Sequence, residues 1–347
     1  MVTPTILDDL DRKLLGELKS RLPMTHRPFQ AIGQRIGLGE QECLERSGRL
    51  KRTGAFSAIT AFFDPQALGY ERALLAMKVA SAGCSAALSE LLSYPGLIYC
   101  CERQDPFSLW STVWVPAQHS MPHLAKILHK RTQAEETLVL SALRIYKSPN
   151  TIAAASHPWL EAAHEHGGGQ RGHAPTGFTD QDQRCVRVMQ QDLPLLEMPF
   201  GVWAEQLELS EDALFDWCRR MEQQGVLSRL AAASAPSATS GGEMLVVWEV
   251  PDGMMDEVGA KMACLREVLH AAQRPVFPGW PYALFTVLHA ASRDACEQIV
   301  QRIEGIAGAG YPSLLLPIVE EAACRPLHLC SLDMDVWWAS AQEVQKT

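Results

Sequence analysis

The segment "DLDRKLLGELKSRLPMTHRPFQAIGQRIGLGEQ" at residues 9–41 is matched by "DQDQRCVRVMQQDLPLLEMPFGVWAEQLELSED" at residues 180–212, an offset of 171 residues without a gap. Identical residues recur at this offset: Asp11 and Asp182, Pro23 and Pro194, Pro28 and Pro199, Phe29 and Phe200. Unrelated segments do not agree at one fixed offset over this length, whereas an internal repeat does. The sequence therefore predicts a chain that contains two copies of one structural plan.

The repeat continues beyond these two segments. The same offset superimposes "ALLAMKV" on "MLVVWEV", and it sets Tyr99 opposite His270 and Arg103 opposite Arg274. After a four-residue insertion in copy two, "FSLW" in copy one aligns with "YALF" in copy two. Both copies are therefore predicted to contain the same elements in the same order.

The first part of each copy has the pattern of three helices followed by a β-rich segment. In copy one, leucines recur at helical spacing from Leu7 to Leu18, "FQAIGQRIG" follows Pro28, and "GEQECLERSGRLKRTG" ends at Gly54, where a left-handed C-cap favours glycine. The next segment, "AFSAITAFFD", is typical of a strand. This order predicts a winged helix-turn-helix.

The second part of each copy alternates between strand and helix patterns. In copy one the order is "RALLAMKV", "SAALSELLSY", "LIYCCERQ", "FSLWSTVWV", "HSMPHLAKILHKR" and "TLVLSALRIY", and in copy two the last strand is "SLLLPIVE". This β-α-β-β-α-β order predicts a ferredoxin-like domain with one sheet face covered by helices. The fold class is thus α+β, a tandem repeat of a winged helix and a ferredoxin-like domain.

The domain boundaries follow from these patterns. The predicted domains are a winged helix at 1–62, a ferredoxin-like domain at 63–150, a linker at 151–177, a second winged helix at 178–237 and a second ferredoxin-like domain at 238–347. The linker contains Gly, His and Pro without apolar periodicity. We assign no chemistry to its histidines, His164, His166 and His173.

Composition limits the classes of function. The 347 residues are 47% hydrophobic and 20% charged, with a formal net charge of −9, which disfavours non-specific attraction to nucleic acid. No apolar run approaches the ~20 residues that a membrane crossing needs, and the first residues lack the order of a secretory signal, so a cytoplasmic location and no membrane partner are expected. The ten cysteines form no CxxC pair, which favours reduced thiols over a zinc site or a disulfide framework.

A winged helix joined to a ferredoxin-like sheet resembles the Lrp/AsnC architecture, which is usually a dimeric transcription regulator. The segments "LPMTHRPF", "CERQDPFSLW" and "WPYALFTVLH", together with the tandem copy, instead resemble the siroheme decarboxylases, in particular the fused two-copy form of haem d1 biosynthesis. The resemblance implies an intramolecular pseudo-dimer with a tetrapyrrole pocket between its halves. It further implies that siroheme, an iron tetrapyrrole, loses two acetate carboxyl groups to give 12,18-didecarboxysiroheme without oxygen or a separate cofactor.

Four residues on the paired second strands are the main site candidates. The resemblance places His270 where family members carry a histidine, as the proton donor or alternatively as an axial ligand of the siroheme iron, with no protein-bound metal. Tyr99 occupies the matching catalytic position in copy one. Strand alternation puts Arg103 on the face of Tyr99 and Arg274 on the face of His270, and guanidinium groups suit the carboxylates of siroheme.

Four further residues are weaker candidates for binding the substrate. Trp280 and Tyr282 lie in a Pro-flanked turn of copy two that departs from the repeat, and they offer flat apolar surfaces. His26 and Arg27 lie in the loop before the second helix. Aromatic residues on strands are more often ordinary core. Family members usually have Asn where this chain has Ser108 and Ala283, and with Tyr99 in place of a second histidine this predicts either one working half, lost activity or a different tetrapyrrole.

Two other functions remain open at the level of the sequence. A DNA-binding regulator is disfavoured because the third helix of copy two is acidic and carries Phe215 and Trp217, so the copies do not offer two equivalent reading heads. A tetrapyrrole carrier or sensor would use the same pocket without turnover. Further dimerisation of the chain and a requirement for a partner protein also stay open.

Overall fold

The computed structural model describes residues 7–148, 175–233, 243–289, 292–307 and 310–343. Most of the predicted linker, including its three histidines, lies outside the described residues. The chain divides into two compact units. The first unit comprises Met1–Gly69, Gly172–Ala235 and His328–Leu332, and the second comprises Tyr70–Arg171, Pro236–Leu327 and Asp333–Thr347. The first unit thus combines the winged helices of both copies, and the second combines both ferredoxin-like parts.

The described helices and strands follow the same order in both copies. Copy one contains α1 (Asp9–Ser20), α2 (Pro28–Ile36), α3 (Glu40–Arg52), β1 (Ala58–Phe63), β2 (Glu71–Lys78), α4 (Cys84–Leu92), β3 (Leu97–Arg103), β4 (Leu109–Val115), α5 (Met121–Thr132), β5 (Glu136–Leu140) and β6 (Arg144–Lys147). Copy two contains α6 (Asp180–Met189), α7 (Phe200–Leu207), α8 (Glu211–Gln223), β7 (Leu227–Ala233), β8 (Glu243–Trp248), α9 (Met255–Ala263), β9 (Val268–Gln273), β10 (Leu284–His289), α10 (Arg293–Ala307), β11 (Ser313–Leu316), β12 (Ile318–Cys324) and α11 (Leu332–Glu343).

The helices of the first unit begin and end where the sequence provides caps. The side chain of Asp8 accepts a hydrogen bond from the backbone N–H of Asp11 at the start of α1, and Thr179 with Asp182 forms a capping box at the start of α6. After the third helices, Gly54 and Gly225 have φ angles of +77° and +70°, the left-handed conformation that glycine adopts without strain. The repeat therefore conserves the turn into each wing.

The wing is formed by the two copies together. Strand β1 pairs antiparallel with β7, from Ala58 opposite Ala233 to Phe63 opposite Leu227. Each copy supplies one strand, whereas the sequence predicted a separate wing in each copy. Because a single strand leaves its backbone groups unpaired, each copy needs the other to complete this sheet.

The second unit contains two five-stranded antiparallel sheets that exchange strands between the copies. Their orders are β12-β3-β4-β2-β5 and β11-β8-β10-β9-β6, so β6 of copy one joins the sheet of copy two, and β12 of copy two joins the sheet of copy one. The sequence predicted "TLVLSALRIY" and "SLLLPIVE" as single strands, but each splits in two. In the second case Pro317, which has no N–H to donate, separates the halves.

One face of each sheet carries a helix-covered core. In copy one the core includes Leu75 and Met77 of β2 and Cys100 of β3, packed with residues of α4 and α5. Copy two has the corresponding core. The predicted α+β fold class, with its winged-helix and ferredoxin-like parts in two copies, is confirmed. Among the described residues, no helix is both long and apolar enough to cross a membrane.

A C-terminal helix that the sequence analysis did not assign completes the core of copy one. Met334, Trp337, Trp338 and Ala341 of α11 are buried in that core, and their spacing places them on one face of a helix. The ring of Trp338 stacks on His119, with centroids 3.8 Å apart. The end of copy two therefore stabilises copy one, in parallel with the exchange of β12.

Candidate functional site

The second unit encloses a cavity of about 30 Å³ that both copies line. The lining residues of copy one are Arg72, Leu74, Tyr99, Arg103, Trp110 and Thr112. Those of copy two are Leu245, His270, Arg274, Phe285 and Val287. Ten of these eleven residues lie on β2, β3 and β4 or on the equivalent strands of copy two, β8, β9 and β10. The eleventh, Arg274, directly follows β9. The cavity therefore lies on the sheet faces opposite the helix-covered cores.

A β-bulge precedes the functional position in both copies. On β3, Leu97 pairs with Val113 and Tyr99 with Thr112, so Ile98 is an extra residue. On β9, Val268 pairs with Leu288 and His270 with Val287, so Leu269 is the extra residue. A bulge changes the direction of the side chains that follow it and often lies next to an active site. Here it turns Tyr99 and His270 toward the cavity.

The two predicted arginines occupy equivalent positions and bridge the copies in the same way. Arg103 donates through Nη1 to the carbonyl oxygen of Leu316 in copy two, and Arg274 donates through Nη1 to that of Leu140 in copy one. The guanidinium carbon of Arg103 lies 5.9 Å from the ring centroid of Trp110. That of Arg274 lies 5.4 Å from the ring centroid of Phe285, so each cation is held against an aromatic ring.

Burial makes these cations suited to an anionic ligand. Arg103 is 4% exposed and Arg274 is 6% exposed, and none of the described cavity-lining residues is acidic. The Nε–H of Arg103 is buried and has no hydrogen-bond acceptor among the described residues. Because an unsatisfied buried donor is costly, a carboxylate in the cavity would stabilise this arrangement.

The residues four positions before the arginines differ in chemistry. Tyr99 is 2% exposed, and burial raises its pKa, an effect that the adjacent thiol of Cys101 reinforces. Its hydroxyl therefore stays protonated at neutral pH. His270 is 3% exposed, and an imidazole can deliver a proton near neutral pH or ligate a metal ion. Among the described cavity-lining residues, only those of copy two include such a group.

The weaker aromatic candidates lie near the cavity without lining it. The indole ring of Trp280 packs against Trp110 and Phe285, with ring centroids 5.6 Å and 6.5 Å apart. Tyr282 contacts Trp280 edge to face at 5.0 Å, and burial raises the Tyr282 pKa. These two residues form a layer behind the aromatic walls, and a direct contact with substrate stays a prediction.

The weaker polar candidates belong to the first unit. His26 forms ion pairs with Glu211 and Asp212 of copy two. Arg27 pairs with Glu40 and Glu197, with each carboxylate oxygen 2.5 Å from Nη2. Neither residue lines the cavity. These contacts join the winged helices of the two copies. A role in substrate binding stays a prediction for both residues.

Ser108 and Ala283 stand where family members usually have Asn, and both are hydrogen-bonded through the backbone to the two arginines. The backbone N–H of Arg103 donates to the carbonyl of Ser108 at 2.9 Å, and that of Arg274 donates to the carbonyl of Ala283 at 2.8 Å. These main-chain bonds do not depend on the side chain at either position. The substitution of the expected Asn is therefore compatible with the strand geometry that positions both arginines.

Arg72 is a cavity residue that the sequence analysis missed. It lies near the start of β2, and Leu74, two residues later, lines the cavity on the same face. The repeat offered no support for Arg72, because the equivalent residue of copy two is Glu243. Strand alternation from Leu74 could have found it, but only once the cavity face of the strand was known.

Among the described residues, no group of three or more His, Cys, Asp or Glu side chains is placed to hold a metal ion. His270 is the described cavity residue that could ligate the iron of a bound tetrapyrrole. In that case the iron arrives with the substrate.

Comparisons with known proteins agree with this arrangement. A sequence model of the siroheme decarboxylase NirDL-like HTH domain matches residues 11–56 and 182–227, and one of the AsnC-like ligand binding domain matches residues 67–147 and 241–321. Each family therefore occurs once in each copy, and together they cover most of the chain. The chain belongs to the siroheme decarboxylase family.

Named members of the family are similar over most of the chain. Siroheme decarboxylase of Hydrogenobacter thermophilus is 27% identical over 293 residues, 84% of this chain and 86% of that protein. The NirDL subunit of Paracoccus denitrificans is 26% identical over 302 residues, 85% of this chain and 89% of that protein. The beta subunit of Methanosarcina barkeri is 33% identical over 128 residues, which is 37% of this chain and 84% of that subunit. The full-length matches agree with the fused two-copy form.

A solved structure has the same fold. The siroheme decarboxylase NirDL in complex with an iron-uroporphyrin III analogue has a TM-score of 0.79 and 23% sequence identity, and the match covers 97% of this chain and all of that one. At this identity the likeness concerns the fold. It confirms the predicted tandem architecture of the family for this chain.

Proposed function

We propose that the protein is a siroheme decarboxylase of haem d1 biosynthesis that removes two acetate carboxyl groups and releases 12,18-didecarboxysiroheme. The observation that carries the proposal is one cavity, lined by both copies, that combines two buried arginines with one imidazole in a chain of this family. The substrate is itself the iron tetrapyrrole, and the reaction needs no oxygen and no separate cofactor.

The chemistry requires one proton for each carbon dioxide lost. The bond between the acetate methylene and its carboxylate breaks, its electron pair passes to the methylene carbon and into the macrocycle, and a proton converts the methylene into a methyl group. We assign the delivery of that proton to His270, and its position in the lining of the cavity supports the assignment. Because one imidazole serves two acetates, the pigment presents them to His270 in turn.

The arginines have a different role from the histidine. Arg103 and Arg274 hold carboxylates that are retained, since a guanidinium paired with the leaving carboxylate would stabilise the charge that must disappear. Leu74, Leu245 and Val287 line the same cavity and provide apolar surroundings. A carboxylate placed against such residues is poorly solvated, which favours its loss as neutral carbon dioxide.

The cavity must open when the pigment binds. Its volume of about 30 Å³ holds about one or two water molecules, whereas pockets for ligands of this kind enclose roughly 300–1,000 Å³. Side chains and strands around the cavity therefore move apart on binding. We expect the buried arginines to become the first polar contacts of the entering carboxylates.

A DNA-binding regulator is a weaker proposal because several cations of the third helices already form ion pairs with carboxylates. In α3, Arg46 contacts Asp8 and Asp11 at 2.7 and 2.9 Å. Arg49 contacts Asp11 at 2.6 Å, and in α8 Arg220 contacts Asp182 at 2.7 Å. Phosphate binding would have to compete with these pairs in a chain of net charge −9.

The decisive experiment is anaerobic incubation of the purified protein with siroheme, followed by mass analysis of the extracted pigment. Loss of two carboxyl groups supports the proposal. Tight binding with unchanged pigment would instead support a carrier or sensor, and sequence-selective retardation of genomic fragments in a gel-shift assay would favour a regulator. Absorption spectra of siroheme bound to wild type and to His270→Ala separate iron ligation from proton donation.

Three finer points belong to the same proposal. The two copies act as an intramolecular pseudo-dimer, so one chain suffices to form the cavity, and any further homodimer is not needed for chemistry. The protein works in the cytoplasm, where a reducing environment keeps its thiols free. Light scattering of the purified chain and cell fractionation test these points.

A further inference from the structure

The two halves of the cavity carry different residues at the positions of Tyr99 and His270. They also differ at one further position, which is charged in copy one. Arg72 of β2 lines the cavity in copy one, and the repeat places Glu243 at the equivalent position of copy two. The remaining charged pair, Arg103 and Arg274, is matched. The side of the cavity that belongs to copy one therefore carries one cation more than the other side.

The position of Arg72 is fixed by the sheet. Arg72 pairs with Trp114 in the register of β2 and β4, and its guanidinium carbon lies 5.6 Å from the ring centroid of Trp114. Ala73 and Leu75, its neighbours in the alternation, are buried in the core on the opposite face. Its Nε atom is shielded from solvent. The side chain is therefore held on the cavity face by strand geometry and by the ring, rather than extending freely into solvent.

We propose that Arg72 is a third carboxylate anchor whose presence in only one half sets the orientation of siroheme relative to His270. This inference rests on the proposed function. Two matched arginines alone bind a polyanionic pigment about equally well in two orientations that are related by the pseudo-twofold symmetry of the repeat. Because siroheme is not symmetric, these orientations bring different acetates to the single imidazole. A third cation in one half favours the orientation that places a retained carboxylate beside it.

The expected preference is large enough to measure. A hydrogen bond between a guanidinium and a carboxylate contributes enough to change affinity about tenfold to a hundredfold. A preference of that size makes one acetate react first in nearly every turnover.

The test compares wild type with Arg72→Gln and Arg72→Met, which remove the charge, and with Arg72→Lys, which keeps it. The matched control is Lys261→Gln, which removes an exposed cation in an i,i+4 pair elsewhere in the same unit. Limited anaerobic turnover of siroheme is stopped early, and the singly decarboxylated pigment is separated into its positional isomers. KM for siroheme and its Kd are measured for each variant.

The proposal expects one singly decarboxylated isomer from wild type, Arg72→Lys and Lys261→Gln, and a mixture of two isomers from Arg72→Gln and Arg72→Met. It also expects KM to rise at least about tenfold in the two uncharged variants and to stay within about threefold in Arg72→Lys. A single isomer with an unchanged KM in folded Arg72→Gln or Arg72→Met would overturn the proposal.

If wild type binds siroheme without converting it, the proposed function fails by itself. The anchor is then judged by Kd alone, and an unchanged Kd in Arg72→Gln and Arg72→Met overturns it.

Discussion

Copy one and copy two bring the same arginine to the cavity, and different residues to the position four places earlier. Arg103 and Arg274 each bond to a carbonyl of the opposite copy and each lie against an aromatic ring. Tyr99 and His270 follow equivalent bulges, yet only the second of them carries an imidazole, a side chain suited to proton transfer. Matched arginines in both halves and an imidazole in one half fit the proposed division into carboxylate anchors and a single proton donor.

The difference indicates how a pseudo-dimer acquires a directional site. Two identical halves would enclose a cavity with twofold symmetry, which suits a symmetric ligand. A fused chain can change one half independently, because each copy has its own codon for the equivalent position. The unequal residues around the matched arginines are therefore where catalysis and orientation are expected to lie, and the matched residues are where general binding is expected.

The largest expected effect comes from removing the imidazole. In His270→Ala, turnover of siroheme should fall about a hundredfold or more, since a positioned general acid contributes about that much, while Kd should change by no more than a few fold. The measurement is single-turnover decarboxylation under anaerobic conditions with a parallel binding titration. Tyr99→Phe is the matched variant in copy one.

The comparison between the halves predicts a much smaller loss of siroheme turnover for Tyr99→Phe than for His270→Ala. Burial raises the pKa of this hydroxyl, so at neutral pH it can donate a hydrogen bond but does not cycle a proton. We expect turnover to fall less than tenfold. Equal losses in both variants would contradict the assignment of proton transfer to copy two alone, and so would an active His270→Ala protein.

The features that the sequence revealed are those that repeat. The offset of 171 residues predicted two winged helices and two ferredoxin-like domains, and alternation along the strands placed Tyr99 with Arg103 and His270 with Arg274 on one face of each sheet. These predictions succeed because strand period and repeat period are local properties of the sequence. They require no knowledge of which strands pair.

The features that the sequence did not reveal depend on contacts between the copies. The exchange of β6 and β12 and the shared wing are pairings between distant segments, and a strand pattern does not identify its partner. Arg72 was not predicted as a site residue because the equivalent residue of copy two is Glu243, so the repeat shows no matched arginine at this position. The helix α11 has no counterpart among the described residues of copy one, although the spacing of Met334, Trp337, Trp338 and Ala341 was visible in the sequence.

An intermediate effect tests whether the matched arginines are equivalent. Arg103→Gln and Arg274→Gln should each weaken siroheme binding about tenfold or more, because each removes a buried charge-assisted hydrogen bond to a carboxylate. Turnover of bound siroheme should change less than binding. Calorimetric or spectroscopic titration gives Kd for both variants, and Lys261→Gln serves as the control for an exposed cation.

Equal losses would support two equivalent anchors around a pseudo-symmetric cavity. A loss confined to Arg274→Gln would contradict this equivalence and would restrict substrate binding to copy two. Thermal unfolding of each variant is needed beside the titration, since both guanidinium groups also bond to carbonyls of the opposite copy. A binding loss that exceeds the change in stability identifies the ligand contact.

The smallest expected effect is on the thermal stability of the two winged helices, where the copies also differ. His26 of copy one faces Glu211, Asp212 and the edge of Phe215 in copy two, whereas the repeat places Glu197 at the position equivalent to His26. The hydrogen bond to Glu211, followed by the charges of Glu211 and Asp212, raises the pKa of His26 above 6.5. The protonated form is therefore favoured in the folded heads.

A raised pKa in the folded state stabilises the heads below the unfolded value of about 6.5, and this contribution is lost as the pH rises through the higher folded value. His26→Gln should therefore lower Tm slightly under mildly acidic conditions, and its Tm should converge with that of wild type under alkaline conditions. Thermal unfolding across this pH range provides the measurement, with Arg12→Gln in an exposed pair as the control. Because His26 is about half exposed, solvent screens the pair and the shift stays small. A difference that grows with pH would contradict the ion-pair assignment, since only the protonated imidazole attracts the two carboxylates.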